Sequence, residues 1–411
     1  MTRRDPTRLR LTGALFVGNA LSSTAYLAAV TVSALAGQEL LGSAHLAGLP
    51  SALSTVGSAL GAALLTAWSQ RIGRRNAFTL GFTLSAVGGI LGVGSLQSAS
   101  FGLLLASMIA LGFGRSVSQL SRFAAGDLWP EARRAKAIGF VVWAATIGSV
   151  VGPLLIVPAG RLGRSQLGAE LAGPFALTAL GFTVAALWYF VMLRPEPLEL
   201  AAAPESPTNP KARFEERRPG GRGLPELLAV PTVRLAFVTL MASQFVMILL
   251  MTMTPVHIQS HHHGLGLISG VMMVHTLGMF AIAPLTGALV DRLGARQVIA
   301  LGVALLVLSA LLGALATEAQ ADLLMVALFL LGVGWNFGFV AGSVALQEGL
   351  TLGERLRVQG LADAATWISG GAAALASGLV LAAGSFRSLS LIGACFALVP
   401  LVLLLRRPST D

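Results

Sequence analysis

Charged residues are scarce in this chain of 411 residues. Only 11% of the residues are Asp, Glu, Lys or Arg, whereas an ordinary soluble domain has about 25%. Hydrophobic residues make up 55% of the chain, and the mean hydropathy is +0.78. Apolar stretches of about 20 residues, enough to span a bilayer, recur along nearly the whole length. This composition excludes an ordinary soluble domain and predicts an all-α polytopic membrane protein.

Cysteine is also nearly absent, and the single Cys395 excludes a disulfide framework within one chain. The sequence lacks a phosphate-binding loop and any nucleophile–base arrangement, so we expect neither an enzyme nor a resident cofactor. The first ten residues contain four arginines and lead directly into an apolar segment. This pattern predicts a first transmembrane helix rather than a cleaved signal peptide.

The apolar segments predict twelve transmembrane helices. Their expected positions are 11–36, 44–69, 76–96, 101–126, 137–160, 173–193, 233–257, 264–290, 297–317, 322–347, 357–382 and 385–405. Arginine and lysine are concentrated in alternate loops, which predicts a multi-pass protein of the cell (inner) membrane with both termini in the cytoplasm. The net charge of +10 therefore reflects topology, and we expect contact with the lipid bilayer but not with nucleic acid.

The two halves of the chain look related. The segment Arg71-Ile-Gly-Arg-Arg75 recurs as Arg292-Leu-Gly-Ala-Arg296 at an offset of 221 residues, and Leu111-Gly-Phe-Gly114 recurs as Leu331-Gly-Val-Gly334 at an offset of 220. A near-constant offset indicates an internal duplication. We therefore expect a six-helix half at 1–194, a flexible cytoplasmic linker at 195–231 and a second six-helix half at 232–411.

The loop Gly287-Ala-Leu-Val-Asp291-Arg292-Leu-Gly294-Ala-Arg296 resembles the G-x-x-x-D-R-x-G-x-R loop of the major facilitator superfamily. In the first half Thr66 and Gln70 replace the usual glycine and aspartate, so we expect the first-half loop to hold a gating state less firmly. The resemblance implies a twelve-helix transporter made of two six-helix repeats. It also implies a cytoplasmic gating network, formed by Arg71, Gly73, Arg74, Arg75, Asp127, Gly287, Asp291, Arg292, Gly294 and Arg296. Glu348 and Asp363 are further candidate partners in that network, and Asp363 could also carry protons.

Methionine and histidine are concentrated in the seventh and eighth predicted helices. Met247 and Met251 are four residues apart, as are His275 and Met279, so each pair shares one helix face. With a rise of about 1.5 Å per residue, Met247 lies roughly 20 Å and His275 roughly 22 Å from the cytoplasmic ends of their helices. The four side chains can therefore share one depth near the membrane midplane, where transporters bind substrates. Three thioethers and one imidazole favour copper, in particular Cu(I), as the transported substrate.

The pattern M-x-x-x-M followed by H-x-x-x-M is similar to the motifs of the CcoA-like copper importers, a branch of the same superfamily. The resemblance implies that Met247, Met251, His275 and Met279 are copper ligands. It also implies that copper is imported for cuproenzyme assembly, notably that of cytochrome oxidase. Members of that branch have been linked to redox-active cysteines, but this chain has only Cys395, so a thiol pair is not available here.

Two further groups of residues are candidates for substrate handling. A possible metal-entry group at the outer end of the seventh helix comprises His257, His261, His262 and His263. A possible cavity lining comprises Asn19, Tyr26, Arg115, Gln119 and Asn336. Because a cation such as Arg115 would repel copper, a proton-coupled organic-solute or drug transporter remains an alternative, as does a membrane copper sensor that does not transport. We expect a monomer.

Overall fold

Fifteen α-helices form the part of the chain that the computed structural model describes, residues 5–41, 49–201, 222–260, 265–316 and 320–405. No strand occurs among these residues, so the all-α prediction is confirmed. The first five helices are α1 (Pro6–Leu41), α2 (Leu49–Gln97), α3 (Phe101–Asp127), α4 (Glu131–Leu162, continued by a π-helical turn at Gly163–Leu167) and α5 (Ala172–Met192). Two short helices follow, α6 (Pro197–Ala201) and α7 (Leu224–Ala229).

The remaining helices belong to the second half of the sequence. They are α8 (Pro231–Ser260), α9 (Leu265–Phe280), α10 (Ala283–Leu293), α11 (Ala295–Leu315), α12 (Ala321–Ala345), α13 (Leu352–Ala383), α14 (Phe386–Ala397) and α15 (Val399–Leu405). Large apolar side chains on their outer faces are exposed, such as Leu375 at 77% and Leu285 at 68%. An apolar outer face is what a bilayer requires of a spanning helix.

The number of membrane crossings depends on a kink in α2. Among the described residues, eleven helical segments are long and apolar enough to span a membrane, and α2 counts once among them. Its 49 residues would extend about 74 Å as one straight helix, more than twice the roughly 30 Å of a hydrocarbon core. At Gly73 the backbone leaves the helical region, with φ 82° and ψ 161°, which separates α2 into two crossings. The described helices thus agree with the twelve predicted spans.

The eighth span is broken, whereas the sequence predicted one continuous helix over 264–290. Helix α9 ends at Phe280 and α10 begins at Ala283. The cause is Pro284, whose ring has no N–H to donate and would clash with the carbonyl of the residue four positions earlier. Met279, one of the predicted ligands, therefore lies next to the end of a helix rather than in its middle.

The predicted linker is helical at both of its described ends, in α6 and α7. Glu196, just before α6, accepts hydrogen bonds from the backbone N–H of Arg74 (2.7 Å) and of Arg75 (3.2 Å). These donors begin the second segment of α2, so Glu196 caps that segment. The linker residues 202–221 lie outside the described part of the chain.

Contacts divide the chain into two compact units. Unit 1 comprises Met1–Pro130, Ala144–Gly221 and Thr351–Ala364, and unit 2 comprises Glu131–Trp143, Arg222–Leu350 and Ala365–Asp411. The first turns of α4 therefore belong to unit 2, and the first turns of α13 belong to unit 1. Helix α13 passes from one unit to the other between Ala364 and Ala365.

Equivalent contacts recur inside each unit and support the predicted duplication. Gly294 has φ 89° and ψ 154°, nearly the values of Gly73, 221 positions earlier. A Cβ atom added at Gly112 would come within 2.6 Å of the Ser54 carbonyl oxygen, and one added at Gly332 within 2.4 Å of the His275 carbonyl oxygen. Only glycine permits such close approach of two helix backbones.

Candidate functional site

The methionine pair of α8 is buried. Met247 is 6% exposed and Met251 is 9% exposed. Helix α8 packs against α12, and so does α9, which carries the other two predicted ligands. All four residues belong to unit 2. Helix α12 is therefore the common support of both motifs.

His275 is 2% exposed and its ring is oriented by α12. The Nδ1 atom lies 2.9 Å from the carbonyl oxygen of Leu328. Because a carbonyl oxygen only accepts, Nδ1 must carry the proton in this contact, and the neutral ring then has a free lone pair on Nε2. Among the described residues, the buried Nε2 atom has no hydrogen-bond partner. This is the tautomer in which histidine ligates metals, with its other nitrogen fixed by a backbone carbonyl.

Met279 is held in place at the end of α9. Its side chain is 8% exposed, and its carbonyl oxygen accepts a 2.6 Å hydrogen bond from the Asn336 side-chain nitrogen. The Asn336 side-chain oxygen in turn accepts a 2.5 Å hydrogen bond from the Thr286 hydroxyl of α10. Asn336 is fully buried, and its amide joins the two sides of the helix break. The role of Asn336 in a cavity lining stays a prediction, and its observed contacts hold the Met279 carbonyl and the Thr286 hydroxyl.

The duplication relates the motif positions of unit 2 to contacts in unit 1. At the repeat offset of 221, Met247 corresponds to Tyr26 and His275 to Ser54. In unit 1 the Tyr26 hydroxyl lies 3.0 Å from the Ser54 hydroxyl. The Ser116 hydroxyl also donates to the Ser58 carbonyl at 2.5 Å, which matches the contact between Asn336 and Met279. The positions of Met279 and Asn336 therefore make an equivalent contact in both units.

The predicted metal-entry group cannot be placed. His261, His262 and His263 lie outside the described residues, and so does the side chain of His257, although its backbone belongs to α8. Their role as an entry group stays a prediction.

Four of the five predicted cavity residues lie in unit 1. The Arg115 guanidinium carbon is 5.2 Å from the centre of the Tyr26 ring, a cation–π contact. Arg115, Tyr26 and Gln119 are half-buried, whereas Asn19 is 4% exposed and accepts a hydrogen bond from Ser23. A cation, an aromatic face and an amide therefore lie in the same part of this unit.

Two of the predicted gating residues of the first half, Arg74 and Asp127, form a buried network in unit 1. Arg74 pairs with Asp127 at 2.7 Å and donates to the Gln359 side chain at 2.9 Å. Arg355 also approaches Asp127, at 3.5 Å. Arg75 donates to the Phe190 carbonyl, and Arg71 is exposed. Gln359 of α13 is a member of this network that was not among the residues predicted from the sequence.

The corresponding residues of the second half form a more open contact in unit 2. Asp291 lies 3.9 Å from the Lys136 ammonium, and the Lys136 side chain is 62% exposed. Arg292 is exposed, and Arg296 donates to the carbonyl of Leu404. A Cβ added at Gly287 would come within 2.4 Å of the Ala135 carbonyl, so this glycine permits close packing against α4. The Arg74–Asp127 pair of the first half is more deeply buried than the Lys136–Asp291 contact of the second half. The weaker gating contact of the first copy stays a prediction.

Glu348 lies in the loop between α12 and α13, outside the spanning segments. Burial raises the pKa of its carboxyl group, the nearby Glu131 carboxylate raises this pKa further, and Arg134 lowers it in part. Glu348 was predicted to belong to the gating network. Its charged neighbours lie at the start of α4.

The sequence did not reveal one buried ion pair. The Arg122 guanidinium of α3 lies 2.5 Å from the Asp363 carboxylate of α13, and their side chains are 1% and 3% exposed. Asp363 had been noted as a candidate, but Arg122 had not. The available signal was a second arginine inside an apolar span, seven residues after Arg115, because ionisable groups within a membrane are usually functional.

These features define a class: a polytopic α-helical membrane protein built from a duplicated unit, with buried polar groups inside its apolar helices. The chain belongs to the major facilitator superfamily, whose family model matches residues 14–282 and 235–411. It is accordingly a multi-pass membrane transporter.

Three similar proteins give this assignment its context. The chain is 36% identical over 381 residues to the uncharacterized MFS-type transporter YdeG of Bacillus subtilis (strain 168), covering 90% of this chain and 86% of that protein. It is 28% identical over 401 residues to the riboflavin transporter RfnT of Brucella anthropi, covering 95% of each. The structure of the proton:xylose symporter XylE matches with a TM-score of 0.75 at 17% identity, covering 96% of this chain and 94% of that one. The last likeness concerns the fold alone.

Proposed function

We propose that this transporter carries copper, as Cu(I), into the cytoplasm by alternating access, with Met247, Met251, His275 and Met279 as ligands. The observation that carries the proposal is the state of His275. Its Nδ1 atom is held by the Leu328 carbonyl and its Nε2 lone pair is buried without a protein hydrogen-bond partner among the described residues. A buried acceptor without a partner costs about 1–3 kcal/mol, a cost that a bound metal ion would offset.

The other three proposed ligands suit the same ion. Thioether sulfur is soft, neutral and inexpensive to bury, and it selects Cu(I) over harder ions. Met247, Met251 and Met279 are each less than a tenth exposed. Thioethers bind less firmly than thiolates, so such a site can release its cargo.

The break between α9 and α10 also favours a substrate site here. Transporters commonly form substrate sites where a membrane helix is discontinuous. The break follows Met279 directly, and Asn336 and Thr286 bridge it. Because the helix is already interrupted after Met279, the end of α9 that carries His275 and Met279 can move without breaking the hydrogen bonds of a continuous helix.

A second candidate function is transport of an organic solute. The half-buried Arg115, Tyr26 and Gln119 of unit 1 offer a hydrogen-bond donor, an aromatic face and an amide, which suit a planar polar solute. The name of the relative RfnT specifies riboflavin, a planar aromatic compound.

Uptake measured in cells that express the full chain separates these functions. Radioactive copper and riboflavin are offered in parallel, and the wild type is compared with His275→Gln, Met251→Leu and the control Met272→Leu, whose methionine is 41% exposed. The proposal predicts copper accumulation by the wild type and the control, at least tenfold less in the other two variants, and no riboflavin uptake. Riboflavin accumulation without copper accumulation would support the organic-solute function. Copper binding to the purified protein without uptake would indicate a sensor.

A further inference from the structure

Three arginines of unit 1, Arg10, Arg75 and Arg194, meet around the ring of Phe190 and are called the arginine cluster below. The guanidinium carbon of Arg75 lies 4.7 Å from the centre of this ring, and that of Arg194 lies 5.3 Å from it. Arg10 donates a 2.5 Å hydrogen bond to the carbonyl oxygen of Arg194. Cations from α1, from the second segment of α2 and from the end of α5 therefore share one small region.

The contacts of the arginine cluster orient its side chains and leave most of their donors available. The Nε atom of Arg75 donates to the Phe190 carbonyl at 3.0 Å, and an aromatic face attracts a cation placed over it. A guanidinium has five N–H donors, and the hydrogen bonds above use one donor in Arg75 and one in Arg10. Arg10 and Arg194 are exposed and Arg75 is half-buried, so an incoming acceptor can reach them.

The arginine cluster lacks a counter-charge within the described ranges of the chain, where none of its guanidinium groups forms an ion pair with a carboxylate. Glu196, two residues after Arg194, directs its carboxylate at the backbone N–H groups of Arg74 and Arg75 instead. Like charges that are held close together repel each other, so a bound anion would stabilise this arrangement. Five other arginines do pair with a carboxylate: Arg8, Arg74, Arg122, Arg164 and Arg355.

An apolar stripe on α5 leads to the arginine cluster. It consists of the exposed side chains Leu180, Val184, Leu187 and Val191, whose spacing of four, three and four residues places them on one helix face. Its length is about 17 Å, close to half of the roughly 30 Å of a hydrocarbon core. The stripe therefore extends over about one leaflet of a bilayer and ends next to the cations.

Phe190 connects the two features. Its exposed side chain lies three residues after Leu187, on the same side of α5, and its ring carries the guanidinium groups of Arg75 and Arg194. A ligand that combines an anionic group with a long apolar chain would contact both the stripe and the cluster. A small soluble anion would contact the cluster alone.

We propose that the arginine cluster binds the phosphate group of an anionic membrane phospholipid, whose acyl chain lies along the apolar stripe of α5. Guanidinium groups suit this ligand because their planar N–H donors bond phosphate oxygens in pairs. The charge of the loops predicts that this end of unit 1 faces the cytoplasm, where anionic lipids attract basic groups at the membrane surface. Binding is non-covalent, and it does not depend on copper as the transported substrate.

Native mass spectrometry of the full-length protein in detergent tests the proposal. The dissociation constant of the first bound lipid is measured for phosphatidylglycerol and for phosphatidylcholine with the same acyl chains. We expect the wild type to bind phosphatidylglycerol at least tenfold more tightly. The variant Arg75→Gln/Arg194→Gln should lose this preference, Arg10→Gln should weaken it, and the control Arg161→Gln, which removes an exposed arginine at the end of α4, should keep it.

A further variant and a competitor make the test decisive. Arg75 also holds the Phe190 carbonyl, so its loss could affect the fold; Arg10→Gln/Arg194→Gln changes only exposed side chains and carries the same expectation. Equal binding of the two lipids by the wild type, or a full preference retained in both double variants, would overturn the proposal. Displacement of phosphatidylglycerol by an equal concentration of inorganic phosphate would also overturn it, because the cluster would then be a site for a soluble anion.

Discussion

The side-chain nitrogen of Asn336 donates a 2.6 Å hydrogen bond to the carbonyl oxygen of Met279, one residue before α9 ends. The equivalent contact of unit 1 joins the Ser116 hydroxyl to the Ser58 carbonyl. One contact supports a proposed copper ligand, and the other supports a serine. Variants of Asn336 and Ser116 therefore separate the effect of losing this hydrogen bond on the fold from its effect on the proposed copper site.

Asn336→Ala should weaken copper binding. The Met279 carbonyl would lose its donor at the helix break, and groups that orient a ligand typically change metal affinity by about 10- to 100-fold. Titration of the purified protein with Cu(I) in competition with a chromogenic chelator measures this affinity. Ser116→Ala is the matched control, since it removes the equivalent hydrogen bond and should leave copper affinity unchanged. Equal affinities of Asn336→Ala and the wild type would mean that Asn336 does not position Met279.

The two glycines of the repeated loop should differ in their response to alanine. Gly73 and Gly294 share a conformation that is nearly exclusive to glycine, so each substitution costs about 1–3 kcal/mol. A Cβ at Gly73 would also come within 2.7 Å of a Glu196 carboxylate oxygen, whereas a Cβ at Gly294 meets open space among the described residues. Gly73→Ala should therefore lower the thermal unfolding midpoint more than Gly294→Ala does.

A second background tests the cause of that difference. In Glu196→Ala protein the carboxylate that Gly73→Ala displaces is already absent, so the two glycine substitutions should cost the same there. If Gly73→Ala remained the more damaging substitution in this background, Glu196 would not be the reason.

Glu348 should make folding stability depend on pH. Burial and Glu131 raise the pKa of Glu348, so between the usual and the raised pKa the folded protein binds more protons than the unfolded chain. Stability contributed by this group therefore falls as pH rises through that window. Glu348→Gln, neutral at every pH, should match the wild type at low pH and unfold at a higher temperature at neutral pH.

Thermal unfolding in detergent at both pH values checks this expectation, with the exposed Glu199→Gln as control. A Glu348→Gln variant that is less stable than the wild type at neutral pH would show instead that attraction between Glu348 and Arg134 dominates.

Much of the fold could be predicted from the sequence because a bilayer imposes strong periodic constraints. Span length, loop charge and the offset between Gly73 and Gly294 were enough to predict twelve crossings and the duplication. The break in the eighth span was missed, although Pro284 was visible, because membrane helices often tolerate proline when a neighbour satisfies the freed carbonyl. At this break Asn336 donates to the carbonyl of Met279, and it lies 57 residues away from Met279 in the sequence.

Only the part of the site that depends on helical spacing could be predicted from the sequence. Residues four apart share a face, which grouped Met247 with Met251 and His275 with Met279. Tertiary contacts carry the rest: the Leu328 carbonyl that sets the His275 tautomer and the Arg122 guanidinium that faces Asp363. Neither partner has a local sequence pattern that points to it, because each lies on another helix.

The most direct test of the central claim is X-ray absorption at the copper edge of the purified, Cu(I)-loaded protein. We expect a first shell of mainly sulfur scatterers with one imidazole nitrogen from His275. In His275→Phe the imidazole signal should disappear while sulfur scattering persists, and in Met272→Leu the spectrum should equal that of the wild type. A first shell without sulfur, or a spectrum unchanged in His275→Phe, would contradict the proposed copper site.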